Sequence, residues 1–226
     1  MFTLNRSPLT AINVQIARHG IGNRVIRFFA HAFSIIFHPL FITTYVIGFL
    51  IYVHPFAYSG IENNTKFFRF LSVFFTTLFL PLFSVFIAWR LGLVQSIQLR
   101  TNRDRIIPYV IVMIFYFWVW YVYNNQENPP ISVHFLLGSF LAICGAWMCN
   151  IYYKVSMHAV AVGGLSMFFL LFSFHDPYAS GLYLSIAILI TGIVCTSRLI
   201  VSDHTPFDIY SGLLVGILAQ WIAWQF

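Results

Sequence analysis

The sequence predicts an all-α, polytopic transmembrane helix bundle of six or seven spans, with a short interfacial helix at its N-terminus. Composition gives the first two observations: 60% of the 226 residues are hydrophobic and only 8% are charged, whereas soluble domains carry about 25% charged residues. The third observation is that the apolar residues form separate stretches of about 17–24 residues, the length that crosses a bilayer as a helix. A transmembrane barrel would instead show short alternating segments.

The N-terminal segment, residues 1–32, is basic, and we expect part of it to lie in the membrane interface. Over residues 17–32 the apolar side chains recur at helical spacing and the arginines occupy the rest of the turn. The apolar set is Ile21, Val25, Phe28, Phe29 and Ala32, and the basic set is Arg18, Arg24 and Arg27. This pattern is typical of an amphipathic helix on a bilayer surface.

Seven candidate spans follow the interfacial segment. They lie at about 33–53, 67–89, 107–123, 132–150, 159–174, 181–196 and 209–225. The connectors 54–66 and 124–131 are polar and contain turn-forming residues. No internal repeat or linker interrupts the pattern, so we expect a single domain over residues 1–226.

Lysine and arginine are distributed unequally between the two ends of these spans. Lys66 and Arg69 fall on one side, and the N-terminal arginines and most loop cations fall on the other. Because cytoplasmic loops carry an excess of Lys and Arg, we expect the second side to face the cytoplasm of a bacterial cytoplasmic membrane. The net charge of +6 suits membrane lipids as partners. No nucleic-acid partner is expected, since the arginines lie beside spans and not on a soluble face.

The most informative polar cluster lies between the last two spans, at Ser197–Asp208. It contains an arginine that can hold a phosphate, a histidine that can attack or transfer a proton, and an aspartate that can orient the histidine. These residues are Arg198, His204 and Asp208. Thr205 and Pro206 fit the N-cap and the first position of the final helix. His204 would then precede a helix N-terminus, which favours anions, and Asp208 would lie in the first turn.

Two further polar clusters fall at the same end of the spans. The segment 154–158 opens the fifth span, where Ser156 can cap the helix and His158 would lie in the first turn. The loop before the third span is basic. Its arginines are Arg100, Arg103 and Arg105, with Pro108 after them.

Two of the clusters carry a resemblance to a known family. The spacing Ser-Arg-x5-His-x3-Asp at residues 197–208 resembles the last signature of the type-2 phosphatidic acid phosphatase superfamily. The middle cluster resembles that superfamily's Pro-Ser-Gly-His signature at Ser156 and His158, with Val155 and Met157 in place of Pro and Gly.

The basic loop matches the superfamily's first signature, Lys-x6-Arg-Pro, in part. With Arg105 in the Arg position, the Lys position falls on Gln98 and Pro108 comes two residues late. A neighbouring cation can replace the missing lysine. The candidates are Arg100, Arg103 and Lys154.

The resemblance implies an integral membrane, metal-independent enzyme that needs no cofactor and releases phosphate from a lipid phosphate or pyrophosphate. By position, His204 is implied as the nucleophile that forms a phosphohistidine, with Asp208 as its partner. His158 is implied as the acid that protonates the departing lipid oxygen. The implied phosphate-binding residues are Ser156, Arg198 and Arg105.

Three alternatives stay open at the level of sequence. A lipid phosphotransferase would use the same residues with a second hydroxyl in place of water. A catalytically decayed scaffold or transporter is favoured by the poor first cluster, and a b-type cytochrome would need paired histidines. Among the remaining histidines, five that show no such pairing are His31, His38, His54, His134 and His175. We interpret the three cysteines and the small residues of 159–164 as packing residues.

Overall fold

A computed structural model of the chain describes residues 24–93, 104–176, 181–201 and 204–226. These residues form a bundle of helices without a strand, which confirms the predicted all-α class. Six helices are long and apolar enough to cross a membrane, and a bent helix pair raises the number to seven if it counts as one span. The chain is therefore a polytopic integral membrane protein.

The bent pair opens the described part of the chain. Helix α1 covers Arg24–Ile36, and α2 covers Pro39–Gly48 and continues as a π-helical turn over Phe49–Val53. The axes of the two helices differ by 59°. Proline lacks an N–H and disfavours helical backbone in the residue before it, so His38 is extended and becomes the N-cap of α2.

This break corrects two predicted boundaries. The interfacial helix was expected to end at residue 32 and the first span to cover 33–53, yet α1 continues through Ile36 and α2 begins at Pro39. Residues 17–23 of the predicted helix lie outside the described residues. The His-Pro dipeptide marks the true boundary, because it favours a helix start over a helix interior.

The next span combines two helices without a break. Helix α3 covers Asn63–Phe74 and α4 covers Leu80–Arg90, joined by a π-helical turn over Phe75–Phe79. Within this turn the hydroxyl of Thr77 donates a hydrogen bond of 2.9 Å to the carbonyl of Val73. The whole element is a single span of 28 residues, which confirms the predicted span at 67–89.

Five further spans complete the bundle, and they confirm the predicted spans with ends displaced by a few residues. They are α5 (Ile106–Asn125), α6 (Pro130–Tyr152), α7 (Met157–His175), α8 (Gly181–Val201) and α9 (Pro206–Ala223). Because the helices alternate in direction, the starts of α5, α7 and α9 lie at the same end of the bundle as the ends of α4, α6 and α8. The described residues of the three polar clusters occupy this end.

Helix α7 lies at the centre of the bundle and packs on α2, α6, α8 and α9. Its closest neighbour is α9, and glycines permit the approach. A Cβ at Gly216 would overlap the carbonyl oxygen of Val160, and a Cβ at Gly163 would overlap that of Leu213. Small residues allow helices to approach in this way inside a membrane. The predicted packing role of the 159–164 segment is confirmed, and the contact aligns the start of α7 with the start of α9.

Candidate active site

A cavity of about 410 Å³ opens at the polar end of the bundle and continues between the helices. Five basic side chains line its polar end: His38, Arg105, His158, Arg198 and His204. The rest of the lining is mainly apolar and extends to Gln220, near the end of α9. The helical rise between the two ends of this lining corresponds to about 20 Å. The cavity therefore combines a cationic mouth with a long apolar body.

The turn before α9 is built as the sequence predicts. Thr205 is the N-cap, Pro206 is the first helical residue and Asp208 lies in the first turn. The Thr205 hydroxyl accepts from the backbone N–H of Asp208 at 3.3 Å, and the Asp208 carboxylate accepts from the backbone N–H of Thr205 at 2.7 Å. These reciprocal bonds form a capping box and fix the backbone that carries His204.

The imidazole of His204 is 5% exposed and is held through its Nδ1 atom. Nδ1 lies 3.1 Å from the carbonyl oxygen of Lys154 and 3.8 Å from Oδ2 of Asp208. A carbonyl accepts and cannot donate, so Nδ1 carries the proton and the lone pair of the neutral ring lies on Nε2. The sequence allows Asp208 to reach back and hold one ring nitrogen of His204. The carbonyl of Lys154 makes that bond, and Oδ2 of Asp208, which accepts the backbone N–H of Thr205, lies beyond hydrogen-bond distance from the ring.

Electrostatics keep the His204 ring neutral. Burial and, to a smaller extent, the charges of Arg105, Arg198 and Lys154 lower the pKa of His204 to about 4, and Asp208 acts in the opposite direction. At neutral pH the imidazole is therefore uncharged, which is the state that a nucleophile requires. The same cations create a positive environment for an anion.

The middle cluster is joined to the last one through the backbone. The N–H of Ser156 donates to the carbonyl of Asp208 at 3.1 Å. Ser156 is the N-cap residue of α7, as predicted, but its hydroxyl makes no capping hydrogen bond. The hydroxyl is fully buried and has no hydrogen-bond partner among the described residues. Nε2 of His158 lies 3.0 Å from the carbonyl oxygen of Ser34, on α1, so this nitrogen carries a proton and Nδ1 is the acceptor in the neutral ring.

The cations reach the cavity from two elements. Arg105, just before α5, donates from Nη1 to the carbonyl of Val155 at 2.9 Å. This hydrogen bond connects the start of α5 to the loop between α6 and α7. Arg198, near the end of α8, lines the cavity and lies within electrostatic range of three imidazoles. These imidazoles are His38, His158 and His204.

The predicted site residues fall into three groups. Arg105, His158, Arg198 and His204 line the cavity. A second group does not line the cavity: Lys154 and Asp208 contact or polarise His204, and Ser156 donates its backbone N–H to Asp208. The third group, Arg100 and Arg103, lies outside the described residues. No cluster of three or more His, Cys, Asp or Glu side chains that could hold a metal ion occurs in the described part of the chain.

One cavity residue had been placed with the unpaired histidines. His38 lines the mouth and packs edge to face on His158. By contrast, His54, His134 and His175 lie at the opposite end of the bundle. His54 accepts a backbone N–H of its own turn at 3.0 Å, and the other two pack on Trp224. The proline that follows His38 was the available signal, because it moves this histidine from a span interior to a helix end.

Comparison with known proteins adds no relative: no family model, no curated protein sequence and no solved structure matches the chain. The resemblance to the type-2 phosphatidic acid phosphatase superfamily accordingly rests on the Ser197–Asp208 spacing and on Ser156 and His158. What that resemblance implies about activity is carried forward as a proposal.

Proposed function

We propose that this protein is a lipid phosphate phosphatase that acts at the membrane interface through a phosphohistidine. One observation carries the proposal. A neutral, buried His204 with its lone pair on Nε2 lines a cavity that has two guanidinium groups at its mouth and an apolar body within the bundle. This arrangement suits an amphiphile with an anionic head and a hydrocarbon tail.

The head group of the substrate meets the cations first. Arg105 and Arg198 provide N–H donors and positive charge for the phosphate oxygens, as guanidinium groups do in other phosphate sites. Phosphoryl transfer depends mainly on in-line placement and on stabilising charge at the equatorial oxygens. The hydrocarbon tail occupies the apolar body of the cavity, parallel to the helices.

Cleavage proceeds in two steps that share one pair of histidines. In the first, the Nε2 lone pair of His204 forms a bond to phosphorus, and the phosphorus–oxygen bond to the lipid breaks. The bonding electrons remain on the lipid oxygen, which takes a proton from Nδ1 of the protonated His158 ring. The contact of its Nε2 with Ser34 leaves Nδ1 as the nitrogen available for this transfer.

Water completes the cycle. His158, now neutral, accepts a proton from water through Nδ1 as the water oxygen bonds to phosphorus. The phosphorus–nitrogen bond breaks, its electron pair returns to Nε2 of His204, and inorganic phosphate leaves. The products are the dephosphorylated lipid and phosphate. We place this chemistry on the cytoplasmic side of a bacterial cytoplasmic membrane, following the Lys and Arg distribution.

Purified protein in detergent, given a panel of lipid phosphates, provides the test. We expect phosphate release that persists in EDTA, is inhibited by orthovanadate, and falls by roughly 10³-fold or more in His204→Ala. His31→Ala is the matched control, because His31 is exposed and does not line the cavity. Full activity in His204→Ala would exclude the mechanism. Transfer of phosphate to an added lipid alcohol in place of water would identify a phosphotransferase.

A further inference from the structure

The break between α1 and α2 places an imidazole at the cavity with a defined tautomer. His38 has extended backbone, with φ −63° and ψ 141°, and caps α2 with its side chain. Its Nδ1 accepts from the backbone N–H of Leu40 at 3.4 Å. An atom that accepts from an N–H uses its lone pair, so the neutral ring carries its proton on Nε2. His38 is thus a hydrogen-bond donor at its outer nitrogen.

The outer nitrogen belongs to a ring at the mouth of the cavity. His38 lines the cavity beside Arg198 and His204, and its ring packs on that of His158 at 5.4 Å between centroids and 85° between planes. Within the ranges that the structure describes, the side-chain nitrogens of His38 make one hydrogen bond, in which Nδ1 accepts the backbone N–H of Leu40. The Nε2–H group therefore has donor capacity to offer to a ligand.

The two packed histidines differ in what they can offer. The Nε2 of His158 faces the carbonyl of Ser34 at 3.0 Å, so its proton on that nitrogen is already donated to the backbone. The carbonyl of Ser34 lies near the end of α1, just before the break that places His38 at the cavity. The neutral form of His158 therefore has only an acceptor to present at Nδ1, whereas the neutral form of His38 presents a donor.

We propose that His38 is a phosphate-binding residue, which donates its Nε2–H to a non-bridging phosphate oxygen beside Arg105 and Arg198. The inference rests on the proposed function and deepens it by adding a third donor to the site. His38 binds without transferring its proton, because loss of that proton would leave an imidazolate.

Two substitutions separate phosphate binding from helix capping. His38→Asn keeps an amide oxygen near the position of Nδ1, and Asn is a preferred N-cap residue, but this side chain ends short of Nε2. His38→Gln extends an amide N–H toward the position of Nε2 and caps poorly. The pair thus removes one function of His38 at a time.

We expect His38→Asn to raise the KM for lipid phosphate and the inhibition constant of orthovanadate by roughly 10- to 100-fold, the effect of one hydrogen bond to a charged group. Its melting temperature should equal that of the wild type. His38→Gln should stay within several-fold of the wild type in both constants and melt at a lower temperature. The measurements are initial rates in detergent and thermal unfolding with and without orthovanadate.

The opposite pattern overturns the inference: wild-type constants in His38→Asn together with impaired constants in His38→Gln would make His38 a capping residue only. Thermal stabilisation by orthovanadate is measured without turnover. If the wild type is stabilised through His38 but releases phosphate from no lipid, the proposed function fails and the inference stands. If the wild type hydrolyses lipid phosphates and both constants of His38→Asn equal those of the wild type, the proposed function stands and the inference fails. A wild type that neither hydrolyses lipid phosphates nor is stabilised by orthovanadate contradicts the proposed function and the inference.

Discussion

His204 combines two constraints that usually conflict. Its Nδ1 is held by a backbone carbonyl, which fixes the tautomer, and nearby guanidinium and ammonium charges disfavour protonation of the ring. A carboxylate in hydrogen-bond contact would have fixed the tautomer too, but it would also have raised the pKa. Asp208 stands slightly further away, at 3.8 Å. The residue is therefore both oriented and neutral, and this has a measurable signature in the pH dependence of the reaction.

The rate of phosphate release should fall at low pH only when the pH approaches about 4. The neutral ring is the active form, and the pKa of His204 is lowered to about 4 by burial and by Arg105, Arg198 and Lys154. The value of kcat/KM should rise as pH increases through about 4, because deprotonation of His204 creates the nucleophile, and it should fall again at higher pH as His158 loses the proton that it donates to the lipid oxygen. A profile of kcat/KM from about pH 3 to about pH 9 measures this. An acid limb near pH 6.5, the value of an unperturbed histidine, would contradict the effect assigned to burial and to the cations.

Asp208→Asn tests the remaining electrostatic influence on this ring. The amide oxygen can still accept from the N–H of Thr205, so the capping box loses little. The carboxylate raises the pKa of His204, so its removal should move the acid limb of kcat/KM to lower pH. An acid limb that stays in place or moves to higher pH would contradict the proposed action of the Asp208 charge on His204.

At the level of elements, the site depends on how closely α7 and α9 approach. Gly212 lies against the carbonyl of Ser156, where a Cβ would be 2.9 Å away, and Gly216 lies against Val160. These contacts keep the start of α7 in register with the start of α9. The N–H of Ser156 can then reach the carbonyl of Asp208, and the two loops that carry the site become one unit.

Gly216→Ala should therefore destabilise the protein by about 1–3 kcal/mol, the usual range for overpacking, and should also reduce activity. The added methyl would overlap the Val160 carbonyl, which is backbone and cannot rotate away. Gly192→Ala is the matched control, because Gly192 is a helical glycine with no atom within 4 Å of the added Cβ. Thermal unfolding in detergent compares the two. Equal melting temperatures for both variants would argue against tight packing at Gly216.

Local features of the sequence predicted local structure well, and contacts between distant segments limited the rest. The cap at Thr205 and the position of Asp208 follow from four consecutive residues, and the spans follow from apolar length. The sequence does not predict that the carbonyl of Lys154 is the partner of His204. Every residue has a carbonyl, and only the packing of α7 on α9 brings this one to the ring. His38 was missed because its partner, His158, lies 120 positions later along the chain.

For the whole molecule, charge separates the two ends of the bundle. Among the described cations, Arg90, Arg105, Lys154 and Arg198 lie at the cavity end, whereas Lys66 and Arg69 lie toward the other end. The phosphate-binding cations contribute to this asymmetry, yet Arg90 adds to it without lining the cavity. The asymmetry favours a cytoplasmic cavity mouth.

Single cysteines can test this orientation in a variant that lacks Cys144, Cys149 and Cys195. Leu93→Cys lies just beyond α4 at the cavity end, and Ser59→Cys lies in the loop between α2 and α3 at the other end; both positions are exposed. We expect a membrane-impermeant maleimide to label residue 59 in intact cells and residue 93 only after permeabilisation. Labelling of residue 93 from outside would reverse the proposed topology.

The apolar body of the cavity determines how much the lipid tail contributes to the free energy of substrate binding. A tail that enters it leaves lipid and not water, and lipid chains are as apolar as leucine side chains. Transfer of the tail therefore releases little hydrophobic free energy, and discrimination rests on the phosphate head and on the fit of the chain to the lining. Half-saturation should accordingly follow the mole fraction of substrate in the bilayer, and dilution of the vesicles in buffer should leave it unchanged.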